Sequence, residues 1–187
     1  MRKGFTLIEL MIVVAILAIL SVVAVPAFIK YMRRAKTVEA VDELDKVHKS
    51  AATYYARGAV IGGSGSSIPC QFPSNQGMTP DVTNTLCCGS TSDTDKDDRC
   101  DVKSSIWSTP VWSALNFQMN DQHYFGYSFV STGSMATAQF TARANADLDC
   151  DASLSTFERY GYGAEDTHYS ECSMKSASAM YTNSETE

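Results

Sequence analysis

The stretch MRKGFTLIELMIVVAILAILSVVAVPAFIK, residues 1–30, decides the architecture of this chain. A short basic leader ends at Gly4, and an apolar run follows that reaches Val25, with Glu9 as its only charge. The run has the length of a membrane span, and an ionised carboxylate inside such a span is costly. Glu9 therefore marks a functional position that needs a partner. Cleavage between Gly4 and Phe5 would supply one, the new amine of Phe5.

Two simpler interpretations of this stretch are an ordinary secretory signal peptide and a plain transmembrane anchor. A secretory signal would place Glu9 inside its apolar region. It would also need a small-x-small cleavage site, whereas Ala24-Val25-Pro26 has proline where a small residue is required. A plain anchor stays open, because the run is long enough to span.

The sequence Gly4-Phe5-Thr6-Leu7-Ile8-Glu9-Leu10, between a basic leader and the apolar run, resembles the class III signal of type IV prepilins and their relatives. The resemblance implies that prepilin peptidase cleaves after Gly4 and methylates the amine of Phe5. It also implies that Phe5, Glu9 and Pro26 serve assembly. In the pilin family, the proline lies in a stretch that bends and that melts in several filaments.

The resemblance further implies a structural subunit of an extracellular type IV pilus, a helical homo-oligomer. Such a subunit waits in the bacterial inner membrane as a precursor, meets the pilus assembly platform, and then becomes part of a filament on the cell surface. The filament would support twitching motility, surface adhesion or DNA uptake. Two alternatives stay open: a type II secretion pseudopilin, or a minor pilin at the tip that binds DNA or a surface.

A single long helix is expected to continue beyond the membrane, from about Thr6 to Arg57, and to end at Gly58. At 1.5 Å per residue it would be about 80 Å long. Residues 5–29 are apolar all round, whereas residues 30–57 carry an apolar stripe at spacings of three and four. The expected stripe consists of Tyr31, Ala35, Val38, Val41, Leu44, Val47, Ala51 and Tyr54.

Charge is distributed unevenly along the chain, which carries a net charge of −6. Residues 1–57 have a net charge of +4 and residues 58–187 a net charge of −10. The strongly acidic character of residues 58–187 argues against nucleic-acid binding through their surface, because phosphate binding requires Lys and Arg. Lys30, Arg33, Arg34 and Lys36 follow the span, and counting positive charges alone would place the C-terminus in the cytoplasm. The leader and the cysteines indicate the opposite, so we expect this basic cluster to serve assembly outside the cytoplasm.

Six cysteines indicate an oxidising compartment and disulfide bonds. Residues 58–105 have no regular period and are rich in turn residues, so we expect a loop region pinned by disulfides. The favoured pairing is Cys150–Cys172, with Cys70–Cys87 and Cys88–Cys100 closing the loop. Because Cys87 and Cys88 are adjacent, their swapped pairing stays open.

Residues 106–187 are expected to form a short helix, an antiparallel sheet and a polar tail. Thr109 is the expected N-cap of the helix, with Pro110 in its first turn and Trp112, Leu115 and Met119 on its apolar side. Residues 123–130, 136–144 and 155–163 alternate like strands. Their apolar face would cover the amphipathic half of the long helix, giving an α+β fold of pilin type whose head comprises residues 30–187. The tail, 164–187, would be held only by Cys172.

The segment DLDCDASLSTFE, residues 147–158, has oxygen ligands at the spacing of an EF-hand loop. The candidate Ca²⁺ ligands are Asp147, Asp149, Asp151, Ser153 and Glu158, with Ser155 at position 9. Against calcium, Ala152 stands where the motif requires glycine, and the flanks resemble strands. The alternative is an Asp-rich turn whose carboxylates accept backbone N–H groups.

Other chemistry finds no support in the sequence. His48, His123 and His168 lack metal-ligand spacing, and there is no phosphate loop, HExxH or G-x-S-x-G motif. Adjacent Cys87-Cys88 is not a C-x-x-C motif. We therefore expect a structural protein with no catalytic residue.

Overall fold

The architecture is a long helix packed on an antiparallel sheet, seen in a computed structural model that describes residues 4–57, 70–81, 86–89, 91–165, 167, 171–177 and 179–186. Helix α1 spans Leu7–Arg57 and helix α2 spans Pro110–Ala114. The six strands are β1 Gln76–Thr79, β2 Gly126–Thr132, β3 Gln139–Ala146, β4 Ser155–Gly163, β5 Met174–Ser176 and β6 Tyr181–Asn183. The α+β prediction is confirmed, whereas Gly58, His168 and the leader residues 1–3 lie outside the described residues.

The sheet has the order β1-β2-β3-β4-β5, and β6 pairs with β4 beside β5. All pairings are antiparallel, and the central register aligns Phe129 with Ala142 and Ala142 with Arg159. The three predicted strands are present as β2, β3 and β4, with β2 and β3 beginning three residues later than predicted. The tail differs from the prediction, because β5 and β6 join it to β4 by backbone hydrogen bonds in addition to a disulfide.

The buried side of α1 packs on β3 and β4. Alanines occur on both contacting surfaces, at Ala40 and Ala51 of the helix and at Ala142 and Ala144 of the sheet. Small side chains let a helix approach a sheet closely, and aromatic rings fill the space around them. The buried helix positions are Thr37, Ala40, Leu44, Val47, Ala51 and Tyr55.

The predicted stripe of α1 is therefore wrong at its N-terminal end and at its last position. Val38 and Val41 are 56% and 39% exposed, whereas neighbouring Thr37 and Ala40 are buried. The sheet selects the small side chains here, which hydrophobicity alone does not reveal. At the other end, Tyr55 rather than Tyr54 is buried, and its hydroxyl donates to the Met135 carbonyl at 2.8 Å.

The short helix α2 begins as predicted and ends early. Thr109 Oγ1 accepts a hydrogen bond from the Trp112 amide at 3.3 Å, which confirms the N-cap. The helix stops at Ala114, and Asn116 has a positive φ of 48°. Met119, predicted on the helix, is buried beyond its end.

All six cysteines form disulfides, but in a different pairing from the favoured one. The bonds are Cys70–Cys172, Cys87–Cys100 and Cys88–Cys150. Cys87–Cys100 belongs to the swapped alternative. The physical reason is that two cysteines of the loop region lie next to distant segments: Cys88 next to Cys150 of the 147–151 turn, and Cys70 next to Cys172 of the tail.

Candidate functional site

The start of α1 is organised by Thr6 and Glu9. The Glu9 carboxylate accepts hydrogen bonds from the Thr6 amide and the Thr6 hydroxyl, both at 2.8 Å, and the Glu9 amide donates to the Thr6 hydroxyl at 3.3 Å. This reciprocal arrangement is a capping box, and the Thr-x-x-Glu spacing of Thr6 and Glu9 is the sequence signal that predicts it. In the uncleaved chain Glu9 thus stabilises its own helix terminus.

The surface around Glu9 is apolar and open. Phe5 is 91% exposed, and it lines a shallow cleft with Leu10, Ile12, Val13 and Glu9 itself. No side chain of α1 is buried before Thr37. The carboxylate therefore lies within an uncovered apolar surface that another apolar helix could cover.

The apolar half of α1 meets the length and composition expected of a membrane-spanning helix, and it lies near the N-terminus. From Leu7 to Ile29 the helix rises about 34 Å, which matches a hydrocarbon core of about 30 Å. Ser21 returns its hydroxyl to the Leu17 carbonyl at 2.7 Å. The helix continues through Pro26, so bending or melting of this stretch stays a prediction for the filament.

Of the four basic residues after the span, two contact the rest of the chain and two are exposed. Arg33 forms an ion pair with Asp149 at 2.7 Å, and Lys36 donates to the Leu148 carbonyl at 3.4 Å. The Lys36 ammonium also lies over the Tyr124 ring, 4.7 Å from its centroid. Lys30 and Arg34 are exposed. Two of the four cations thus tie the helix to the head.

The 147–151 turn brings three of the predicted calcium ligands together. Carboxylate oxygens of Asp147, Asp149 and Asp151 lie within 4.8 Å of one another. Asp147 accepts from the Asp151 and Ala152 amides at 3.1 and 2.9 Å. Asp151 accepts from the Ser153 amide at 2.7 Å, and this hydrogen bond lowers the pKa of the Asp151 carboxyl.

The remaining predicted ligands are placed differently. Glu158 is held by Arg143 at 2.5 Å on the neighbouring strand and is not part of the three-carboxylate group. Ser155 is buried and donates to the Ala146 carbonyl at 2.9 Å, while Ser153 is exposed. The turn alternative thus accounts for the Asp147 and Asp151 contacts, and calcium binding stays a prediction.

Sequence reasoning missed Glu39, which joins α1 to the start of β2. Its carboxylate accepts from the Tyr124 and Phe125 amides at 3.0 and 3.1 Å and from the Tyr127 hydroxyl at 3.2 Å. Burial raises the pKa of the Glu39 carboxyl, although these hydrogen bonds oppose the shift. No sequence signal marks this contact, because the partners lie 85 to 88 residues away.

The model of the prokaryotic N-terminal methylation motif matches residues 1–25. This match supports a type IV pilin-like prepilin with a class III signal sequence. The architecture agrees with this interpretation, since the chain combines a long N-terminal helix with an antiparallel sheet and three disulfides. Comparisons with curated proteins and with solved structures found no match. The motif and the apolar helix suggest a membrane-anchored precursor and a surface filament.

Proposed function

We propose that this prepilin is the structural subunit of an extracellular type IV pilus, cut after Gly4 and assembled through its N-terminal helix. The main observation behind this proposal is the uncovered apolar surface of α1, which begins at the N-terminal methylation motif and contains a single charged residue, Glu9. Before assembly this surface would lie in the inner membrane. In the filament, the same surface of other copies would cover it, with the acidic heads outside. No catalytic role is proposed.

Processing supplies the partner for Glu9. Cleavage between Gly4 and Phe5 creates an amine one residue before Thr6, and prepilin peptidase would methylate it. We expect Glu9 to pair with the Phe5 amine of a neighbouring subunit, replacing the Thr6 contact seen here. Loss of one partner from a buried ion pair costs several kcal/mol, because the other charge stays buried and unpaired.

The test compares Glu9→Gln with Thr6→Ala, each expressed in a strain that lacks the native gene. Thr6→Ala breaks the capping box but keeps the carboxylate, so it should lower filament yield only slightly. Glu9→Gln should leave the protein in the membrane and cleaved, yet reduce its incorporation into filaments at least about tenfold. Quantitative immunoblots of sheared filaments give the readout. Equal yields from the two variants would contradict the pairing.

Cleavage itself is checked by mass spectrometry of the mature protein, which should begin at a methylated Phe5. A start at Ala27 or Phe28 would instead indicate an ordinary secretory signal.

A secretion pseudopilin or a minor tip pilin is the competing function, because the matched motif covers only residues 1–25 and is common to these proteins. Imaging of a deletion strain separates the possibilities. Missing filaments, together with immunogold label along wild-type filaments, support the major subunit. Label confined to tips supports a tip pilin, and lost enzyme secretion with normal filaments supports a pseudopilin.

A further inference from the structure

The outer face of the sheet, opposite α1, carries a shallow trough that the proposed assembly does not use. We call it the sheet trough and define it by Val130, Gln139, Thr141, Arg143, Tyr160 and Tyr162. Two adjoining cavities of about 320 and 350 Å³ form it, and both are lined by Val130, Thr141 and Tyr160. Ligand sites in proteins begin at about 300 Å³.

Strand register explains the shape of the trough. Val130, Thr141 and Tyr160 lie side by side across β2, β3 and β4, and the first two provide a low floor. Gln139 is paired with Tyr162 on one side of this row, and Arg143 is paired with Glu158 on the other. Larger side chains thus stand on both sides of the small Val130 and Thr141 side chains that form the floor.

Both walls are fixed by side-chain hydrogen bonds. Gln139 donates to the Thr132 hydroxyl at 3.2 Å on one side. On the other side, Glu158 accepts from Arg143 at 2.5 Å and from the Tyr160 hydroxyl. The latter bond raises the pKa of Tyr160 to about 12, so the phenol stays protonated. Fixed polar groups lose little conformational entropy when a ligand binds.

The charges within the trough cancel, because Arg143 and Glu158 pair with each other. This balance favours a neutral ligand, and the net charge of −10 on residues 58–187 disfavours an anionic one. The trough also combines apolar surface with hydrogen-bonding groups. Tyr162 and Val130 are 45% and 49% exposed, next to a guanidinium, an amide and hydroxyls.

We propose that the sheet trough binds a neutral carbohydrate. A pyranose ring has an apolar face that suits the exposed Tyr162 ring and the Val130 methyl groups, and it has hydroxyls that suit the fixed amide and guanidinium. A lipid tail would remove these polar groups from water without offering them a hydrogen bond, which is unfavourable. A second copy of the chain is a poorer occupant, because stable protein contacts bury about 800 Å² on each partner around an apolar centre.

The test uses the mature full-length protein in micelles of a zwitterionic detergent without a sugar headgroup. The probes are neutral tetrasaccharides of glucose, N-acetylglucosamine, galactose and mannose, with tetragalacturonate as an acidic comparison. Saturation-transfer NMR and calorimetry should show millimolar or tighter binding of at least one neutral probe and none of the acidic one. Binding needs no filament, so a negative result here leaves the proposed pilus role standing, and the reverse also holds.

Two variants locate the site, and one serves as a control. Tyr162→Ala should weaken binding about tenfold, and Thr141→Phe should abolish it by filling the floor. Tyr181→Ala removes a tyrosine of similar exposure, 51%, beyond Glu158, and should stay within about twofold of wild type. Absence of binding by every neutral probe, or equal losses from Tyr162→Ala and Tyr181→Ala, would overturn the proposal. Reduced filament yield of Tyr162→Ala without any sugar binding would also overturn it, and would assign the trough to a contact between subunits.

Discussion

Among single residues, Glu39 joins the long helix to the start of β2 by accepting hydrogen bonds from three residues. It lies on the half of α1 that faces the head, and it accepts the Tyr124 and Phe125 amides and the hydroxyl of fully buried Tyr127. A carboxylate in such a place pays a desolvation cost when it ionises, which is why burial raises its pKa. An acceptor is therefore required at this position, but a negative charge is not.

We predict that Glu39→Ala lowers the free energy of unfolding much more than Glu39→Gln does. Alanine leaves two amides and a phenol without an acceptor, so the free energy of unfolding should fall by about 2–4 kcal/mol. Glutamine keeps an acceptor without the charge, so at pH 7 the variant should lie within about 1 kcal/mol of wild type or above it. Urea unfolding of the mature protein in micelles measures both changes.

The pH dependence of stability in the wild type and in Glu39→Gln tests whether burial of the Glu39 charge is the cause. The folded-state pKa of Glu39 lies above its ordinary value of 4.5, so the folded state binds the extra proton. The contribution to stability is complete below pH 4.5 and is lost as the pH rises through the folded-state pKa. Stability of Glu39→Gln relative to wild type should thus increase between pH 4 and pH 7. Parallel pH curves would show that burial of the charge is not the cause.

The residues differ in how far their roles could be predicted. Glu9 was identifiable because a lone charge in an apolar run is conspicuous within a few residues of sequence. Glu39 was not, since its partners lie 85 to 88 residues away, at the start of β2 and just before it. Long-range contacts set its position, and one sequence does not display them.

At the scale of elements, local patterns predicted the helix and the three central strands well. Alternation and helical spacing are short-range signals, so β4 and the ends of α1 agree with prediction to within a residue where described. The tail strands β5 and β6 have three residues each, too few for a period to show. The cysteine pairing depended on where the loop region lies in space, which the spacing of cysteines does not determine.

The three disulfides should contribute unequally to stability. In the chain-entropy account, a closed loop of about 15 residues gains about 3 kcal/mol and one of about 100 residues about 4.7 kcal/mol. The sequence separations are 13 for Cys87–Cys100, 62 for Cys88–Cys150 and 102 for Cys70–Cys172. Paired alanine variants should therefore lose stability in that increasing order.

Chemical unfolding of the three paired variants measures this order, and peptide mapping without reduction checks the pairing first. A Cys150–Cys172 peptide would show that the loop region lies elsewhere. If the Cys87–Cys100 variant proved the least stable, local packing rather than loop length would control the contribution.

For the 147–151 turn, calcium binding and the metal-free turn alternative predict opposite outcomes of a melting experiment. Extracellular calcium modules bind at about 10⁻⁴–10⁻³ M, so calcium at about 1 mM, which equals Kd or exceeds it up to about tenfold, would stabilise by about 0.4–1.4 kcal/mol. If Asp147, Asp149 and Asp151 bind Ca²⁺, millimolar calcium should raise the melting temperature more than equal Mg²⁺. Asp149→Ala should remove the difference. Asp95→Ala should keep it, because Asp95 belongs to a separate carboxylate group with Asp93 and Asp97.

Arg33→Gln sharpens this comparison, because it frees Asp149 from its ion pair. A calcium-specific shift should then increase, since the metal no longer competes with the guanidinium. Equal shifts from both ions in the wild type and in Arg33→Gln would instead decide for the turn.

At the scale of the whole molecule, the chain consists of a packed head and a helix half that no described residue covers. Buried side chains of α1 begin at Thr37, about 10 Å of helix beyond Lys30. Between them lie Arg33 and Lys36, whose contacts with the 147–151 turn fix the head relative to the end of the span. Two of the four cations are thereby engaged in contacts with the 147–151 turn.

This division predicts that the head folds without the apolar half. Residues 4–29, the described part of the N-terminal segment, contain no buried side chain, so residues 30–187 should unfold cooperatively without it. Their free energy of unfolding should lie within about 0.5 kcal/mol of that of the mature protein in the same detergent.

Removal of residues 1–36 also deletes the Arg33–Asp149 pair and the Lys36 contacts. Partly exposed pairs contribute up to about 1 kcal/mol and a hydrogen bond about as much, so this shorter head should lose about 1–2 kcal/mol. Calorimetry of the three proteins would test both statements. Aggregation or non-cooperative melting of residues 30–187 would mean that the apolar half supports the head, and equal stability of the two truncations would mean that Arg33 and Lys36 only orient it.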